Sequence, residues 1–267
     1  MKTSQFALSI LLAIGCSAHA ANTASAQFSQ EPVPDVIGDT FPARAGQDFA
    51  RLAHAAERRP TKDAFETDQQ FNARLAAFAA LPVYGSVALN SRVAYIGPLS
   101  RDTMTSYGKL RYLYEPENEL FRLCLPETLR ERVPGVEDTV LPFIVSSSGK
   151  RLGSYIGSNA FGATARVIKA REQRLQLALI TPETSSPDCF VGEPMSADEA
   201  RLKTRGAAFA IVGRLRAPFL AITRGGDRAT VSDPYEVERI HTDLPFDIEE
   251  VFAFDARTGV IFYRAKR

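Results

Sequence analysis

The chain has 267 residues, 45% of them hydrophobic, with 32 basic residues against 31 acidic ones. That apolar content suits a real core. The near-neutral balance argues against the strongly basic surface on which nucleic-acid or anionic-membrane binding draws, and the arginines read as scattered rather than gathered for phosphate recognition.

Residues 1–20 read as a cleavable secretory signal peptide. Lys2 lies in a short polar start, 6–15 is an uncharged apolar run, and Ala18-His19-Ala20 offers small residues where a signal peptidase reads. The apolar run is about half of what a bilayer span needs. The alternative is a lipid anchor at Cys16, but Ala13 stands where a lipoprotein places a large aliphatic residue, and Ile14 intrudes before Gly15. Cleavage after Ala20 removes Lys2 and leaves 31 basic and 31 acidic residues. A periplasmic or secreted location follows, with no transmembrane span in the mature chain. Cys124 and Cys189 then remain, and in an oxidising compartment a pair points to one disulfide, with two separate buried thiols as the alternative.

Residues 21–43 have no periodicity and carry Pro32 and Pro34, which reads as a flexible leader. Residues 44–267 then make one β-rich domain, or two lobes meeting near 181–205. Phe49, Leu52, Ala53 and Ala56 fall at helical spacing within 47–58, and Pro60 ends that helix. Thr67 and Gln70 form a capping box ahead of Phe71, Leu75 and Phe78, predicting a helix over 68–80. Ser196 with Glu199 opens a third helix that runs to about Lys203.

Period-two alternation dominates elsewhere. Leu110, Tyr112 and Tyr114 share one face of a strand, and Phe121, Leu123 and Leu125 share one face of the next, with 115–119 turning between them. A second hairpin is expected from 166–170 and 175–180 around Glu172-Gln173, and a third from 250–254 and 260–264. Further strands are expected at 83–89, 92–96, 139–146, 208–215, 218–223 and 235–242. Consecutive hairpins imply an α+β fold, mainly antiparallel sheet with two or three short helices.

Chemistry is sparse in this pattern. There is no zinc spacing, no nucleophile elbow and no complete phosphate-binding loop, so the reading assigns no cofactor and no metal. Ser146-Ser147-Ser148-Gly149-Lys150 lacks the first glycine of such a loop and reads as a turn. His241 and Asp243 sit two apart, so on a strand they share a face and can orient a base, or else serve as a hydrogen-bonded structural pair. Glu115, Glu117 and Glu119 crowd one turn, and Asp243, Asp247, Glu249 and Glu250 another region. Both read as solvated edges rather than cation sites. Asn159 and Phe161 belong to the glycine-bracketed stretch 155–162, which reads as a shaped entry to a strand with Phe161 plugging the core, or as a binding loop. Tyr107, Tyr112 and Tyr114 read as core and cross-strand packing, with a pocket lining as the alternative.

Two motifs together, Phe65-Glu66-Thr67 with downstream Phe71 and Arg74, then Asn159-Ala160-Phe161-Gly162, resemble uncharacterised exported bacterial proteins. The resemblance implies an envelope location and carries no activity. The expectation is therefore a non-enzymatic binding or accessory domain whose partner is an unknown envelope protein or ligand, not a nucleic acid. A hydrolase of envelope material, with a dispersed active site, is the first alternative. An inhibitor or immunity-type protein is the second, and it needs an exposed apolar patch.

Overall fold

The computed structural model describes residues 28–42, 44–101, 110–125, 130–158, 160–180 and 189–266. The signal-peptide stretch with Cys16, and also Tyr107 and Asn159, lie outside the described residues.

Among the described residues three α-helices begin where capping chemistry permits. α1 (Phe49–Glu57) starts at Asp48, whose carboxylate accepts from the N–H groups of Ala50 and Arg51. α2 (Asp68–Ala79) starts at Thr67, whose hydroxyl accepts from the Gln70 N–H while the Gln70 side chain accepts from the Thr67 N–H. α3 (Ala197–Lys203) starts at Ser196, which accepts from the Glu199 N–H.

The strands are β1 (Pro82–Tyr84), β2 (Val87–Ala88), β3 (Arg92–Pro98), β4 (Ser100–Arg101), β5 (Arg111–Glu115), β6 (Leu120–Cys124), β7 (Glu131–Arg132), β8 (Thr139–Ser158), β9 (Thr164–Ile180), β10 (Glu193–Pro194), β11 (Ala207–Leu215), β12 (Ala221–Asp227), β13 (Tyr235–Asp255) and β14 (Ile261–Lys266). β1 and β2 form a small hairpin, and a four-stranded sheet runs β10-β6-β5-β4. The main sheet runs β3-β11-β13-β9-β8-β7, with β12 and β14 also on β13. Among the described residues the fold is thus α+β with mostly antiparallel pairing. β13 is the spine of the main sheet. Its first half pairs with β9 and β12, and its second half with β11 and β14. The β13–β9 pairing is parallel, which consecutive hairpins alone do not foresee.

Alternation assigns the two faces of this sheet. Val93, Phe209, Ile211, Val251 and Tyr263 face α1, α2 and the smaller sheet, joining Leu52, Leu75, Phe121 and Leu123 in the main core. Met195 and Ala200 reach the same core from the segment around α3. Ala94, Ala208, Ala210, Val212, Phe252 and Phe254 face the opposite way and are covered by Val33, Ile37 and Phe41. The described part of the expected leader is therefore an ordered strap. Phe41 meets Phe252 edge-on at 4.7 Å between ring centroids, and the Val33 N–H donates to the Arg92 carbonyl at 2.9 Å. The strap buries one apolar side chain every four residues without being helix or strand, so no periodicity betrays it.

Two further expectations need correction. No turn occurs at Glu172-Gln173, because β9 runs through it unbroken. Ser146-Ser147-Ser148-Gly149-Lys150 is likewise not a turn but the middle of β8. The reason is the same in both cases. The strands leave the core near Val145 and Leu175, so apolar alternation stops while the hydrogen-bonded ladder continues. The connection between them lies at 160–163, where Gly162 takes a φ of 81°.

Candidate functional site

His241 and Asp243 do share a face of β13, and they stand where the sheet leaves the core. Asp243 is 2% exposed and its register partner on β9 is Gln176, whose Nε2 donates to Oδ1 at 2.6 Å. Thr223 Oγ1 lies 3.5 Å from Oδ2. Below them Val133, Val140, Ala178 and Ala221 form a small apolar cluster that keeps water away. Burial pushes the Asp243 carboxyl above its ordinary value, an effect opposed by the Gln176 hydrogen bond and by nearby His241, and reinforced by Glu131. The His241 Nε2 is shielded and has no hydrogen-bond partner among the described residues. No hydrogen bond between His241 and Asp243 is present among those residues, so the structure places the two side by side without building an acid–base relay.

A pH test follows from the burial. Because the folded state holds the Asp243 proton more tightly than the unfolded chain, its burial penalty is absent below the unfolded carboxyl range and grows as pH rises through the folded value. Asp243→Asn is expected to raise Tm at neutral pH by roughly 2–4 °C, the shift that about 1 kcal/mol produces in a domain of this size. The difference should vanish in acid. Calorimetry of both proteins across that range checks it, and an equal gain at every pH would contradict it.

The acidic groups separate into different roles. Glu115 pairs with Arg122 at 3.2 Å and accepts from Asn118 at 3.1 Å across its turn. Glu250 corrects the expectation of a solvated edge, since it is buried against Arg92 at 3.1 Å and Arg264 at 3.2 Å. Glu249 pairs with Arg92 at 2.7 Å and Arg214 at 2.9 Å. Among the described residues no group of three His, Cys, Asp or Glu side chains gathers to hold a metal. Tyr112 stacks on Phe121 and the Tyr114 hydroxyl donates to the Met195 carbonyl at 3.0 Å, which makes both structural.

The Phe65-Glu66-Thr67 motif folds as an ionic knot. Arg74 grips both Glu66 oxygens, at 3.0 and 2.6 Å, and its Nη2 donates to the Thr61 carbonyl at 2.9 Å. Lys62 pairs with Asp68 at 2.6 Å. Thr61, Lys62, Glu66 and Arg74, with Asp63 and Gln70, line a shallow, polar cavity of about 600 Å³ beside α2, and Phe65 stands on its rim almost wholly exposed. Its charges are satisfied within the knot, which leaves little to hold a charged ligand.

One surface is a sheet extension. Beyond Val145 and Leu175 the strands β8, β9, β13 and β12 continue side by side, and among the described residues no helix or second sheet packs on them, although Val167 within them is buried. Residues 146–158 of β8 alone reach roughly 40 Å at ordinary strand rise. Ion pairs across the strands stiffen it, with Arg171–Glu238 at 2.7 Å, Lys169–Glu236 at 3.3 Å and Arg239–Asp227 at 2.6 Å. The Tyr155 hydroxyl donates to Glu236 at 2.9 Å, and Lys169 lies over the Tyr155 ring. Phe161, expected to plug the core, is instead 95% exposed in the terminal turn. The signal for this arm lies in the sequence as charge patterning. From Lys150 to Arg171 there are five basic residues and no acidic one, a concentration that the neutral total conceals.

The fold and surface define an α+β protein of mainly antiparallel sheet with a projecting β-arm. No protein-family model matches the chain, and no match to it is found among curated proteins or among solved structures.

Proposed function

We propose that this protein is an exported, non-enzymatic binding domain of the bacterial envelope, and that the β-arm is its contact surface. The observation that carries this reading is the arm. A sheet ordered over strands of this length, with no core cluster of its own among the described residues, exposes Leu152, Tyr155, Ile156, Phe161, Ile222 and Tyr235 to solvent. Such ordering costs conformational entropy that exposed ion pairs, at about 0.2–1 kcal/mol each, offset weakly. A surface maintained at that cost suits a partner that covers it. The buried, hydrogen-bonded Asp243 does not favour the hydrolase alternative, because its oxygens already have partners inside the sheet. No helix among the described residues is long and apolar enough to cross a membrane.

Site-specific photo-cross-linking in the producing cells tests the reading. Probes at Ile156 and Tyr235 should give discrete adducts with an envelope component, while a probe at exposed Leu202 on α3 should not. Equal labelling at all three sites, or none at the arm, would count against it.

A further inference from the structure

We infer that the tip of the arm docks on an anionic lipid surface, which rests on the reading of the arm as a contact surface and names its partner. The tip is the part of the β8–β9 hairpin that outruns its neighbours. β13 begins at Tyr235, opposite Ile168, so among the described residues 155–158 and 164–167 form a two-stranded ribbon with no third strand. Such a ribbon is marginal in water on its own.

At the tip, uncharged side chains stand beside one cation, because Arg166 is the register partner of Ile156. From 152 to 165 there is no charged residue. That apex carries Leu152, Tyr155, Ile156 (65% exposed) and Phe161. Tyr155 and Ile156 are neighbours on one strand and therefore point to opposite faces, so neither face of the apex is polar throughout. Lys150, Arg151 and Arg166 bound the uncharged run, and all three are exposed and make no ion pair among the described residues. Lys169, opposite Gly153, and Arg171, opposite Lys150, are already paired with Glu236 and Glu238.

Exposed apolar side chains with the unpaired Arg166 beside them match a bilayer with anionic headgroups: Ile156 and Phe161 meet the boundary of the acyl region while Arg166, level with Ile156, meets the phosphates. Depth is limited by the free edge of β8, whose unpaired backbone groups do not tolerate hydrocarbon. A second copy of this chain is disfavoured as the occupant, because Lys150 and Arg151 and the irregularity between Arg151 and Gly153 discourage edge-to-edge pairing.

The test uses the full mature chain with vesicles of phosphatidylcholine plus phosphatidylglycerol, and of phosphatidylcholine alone. Flotation should show binding to the anionic vesicles that weakens with added salt. Arg166→Glu should lower affinity roughly tenfold or more, and Phe161→Asp should lower it as well. The chain has no Trp, so Phe161→Trp supplies a single reporter whose emission should shift to the blue on anionic vesicles. Absence of vesicle binding, an unshifted emission spectrum of the Phe161→Trp variant, or binding untouched by Phe161→Asp would overturn the inference. Equal binding to soluble polyglutamate would also overturn it, by showing charge attraction alone. Cross-linking of Ile156 to a protein without vesicle binding would overturn the lipid assignment and leave the arm a contact surface. Failure at both would remove the contact surface itself.

Discussion

Replacing Arg92 by Met should lower the unfolding free energy by up to about 3–5 kcal/mol, because it removes one of the two cations beside a buried carboxylate. Arg92 is 6% exposed and Glu250 4%, and they face each other from β3 and β13. The same guanidinium holds Glu249 and donates to the Pro34 carbonyl, so one side chain ties sheet to strap. Arg264 remains beside Glu250 and recovers part of the loss. Denaturant unfolding measures the effect. The paired change Arg92→Met with Glu250→Leu should recover much of it, since removing both charges avoids the uncompensated one. Limited proteolysis should cut Arg92→Met within the strap faster than the parent protein. A single variant as stable as the parent would show that the carboxylate is not confined as described.

Reducing the disulfide, or replacing both of its cysteines by Ser, should cost about 4 kcal/mol on the chain-entropy estimate for a loop of this length. Cys124 closes β6 and is bonded to Cys189, 65 residues further on. The adjoining Phe190 N–H donates to the Leu123 carbonyl at 2.9 Å, so the bridge sits where the chain returns to the small sheet before β10. Removing it leaves these native contacts in place and enlarges the unfolded ensemble. Calorimetry with and without reductant, alongside thiol titration of the denatured unreduced protein, reads both parts. An unchanged Tm with two titratable thiols beforehand would contradict it.

The elements that the sequence announces are those whose local chemistry and burial agree. The capping box at Thr67 and Gln70 and the alternation of Tyr112 and Tyr114 opposite Phe121 and Leu123 each carry their own signal. The β8–β9 arm is silent to that method, because a strand with two wet faces has no apolar period to display. The strap is silent for the opposite reason, since it is buried without being regular. At the candidate site, spacing does put His241 and Asp243 on one face. It does not reveal that Gln176 and Thr223, from other strands, already occupy the carboxylate. Phe161 defeats the pattern because glycine-bracketed aromatics serve cores and exposed tips alike, and only the neighbours decide which.

The strap also fixes an order of events during synthesis. Its carbonyls at Ile37 and Gly38 accept from Arg264, Phe41 N–H donates to the Gly259 carbonyl at 2.8 Å, and Ile261 N–H donates to the Asp39 carbonyl at 2.9 Å. The strap, made early, therefore waits for β14. Until β14 is made, Phe41 and Ile37 lack the seam they close, and Phe252 and Phe254, fully buried in the finished fold, lack their cover. Contacts this distant along the chain make closure of the strap slow and late.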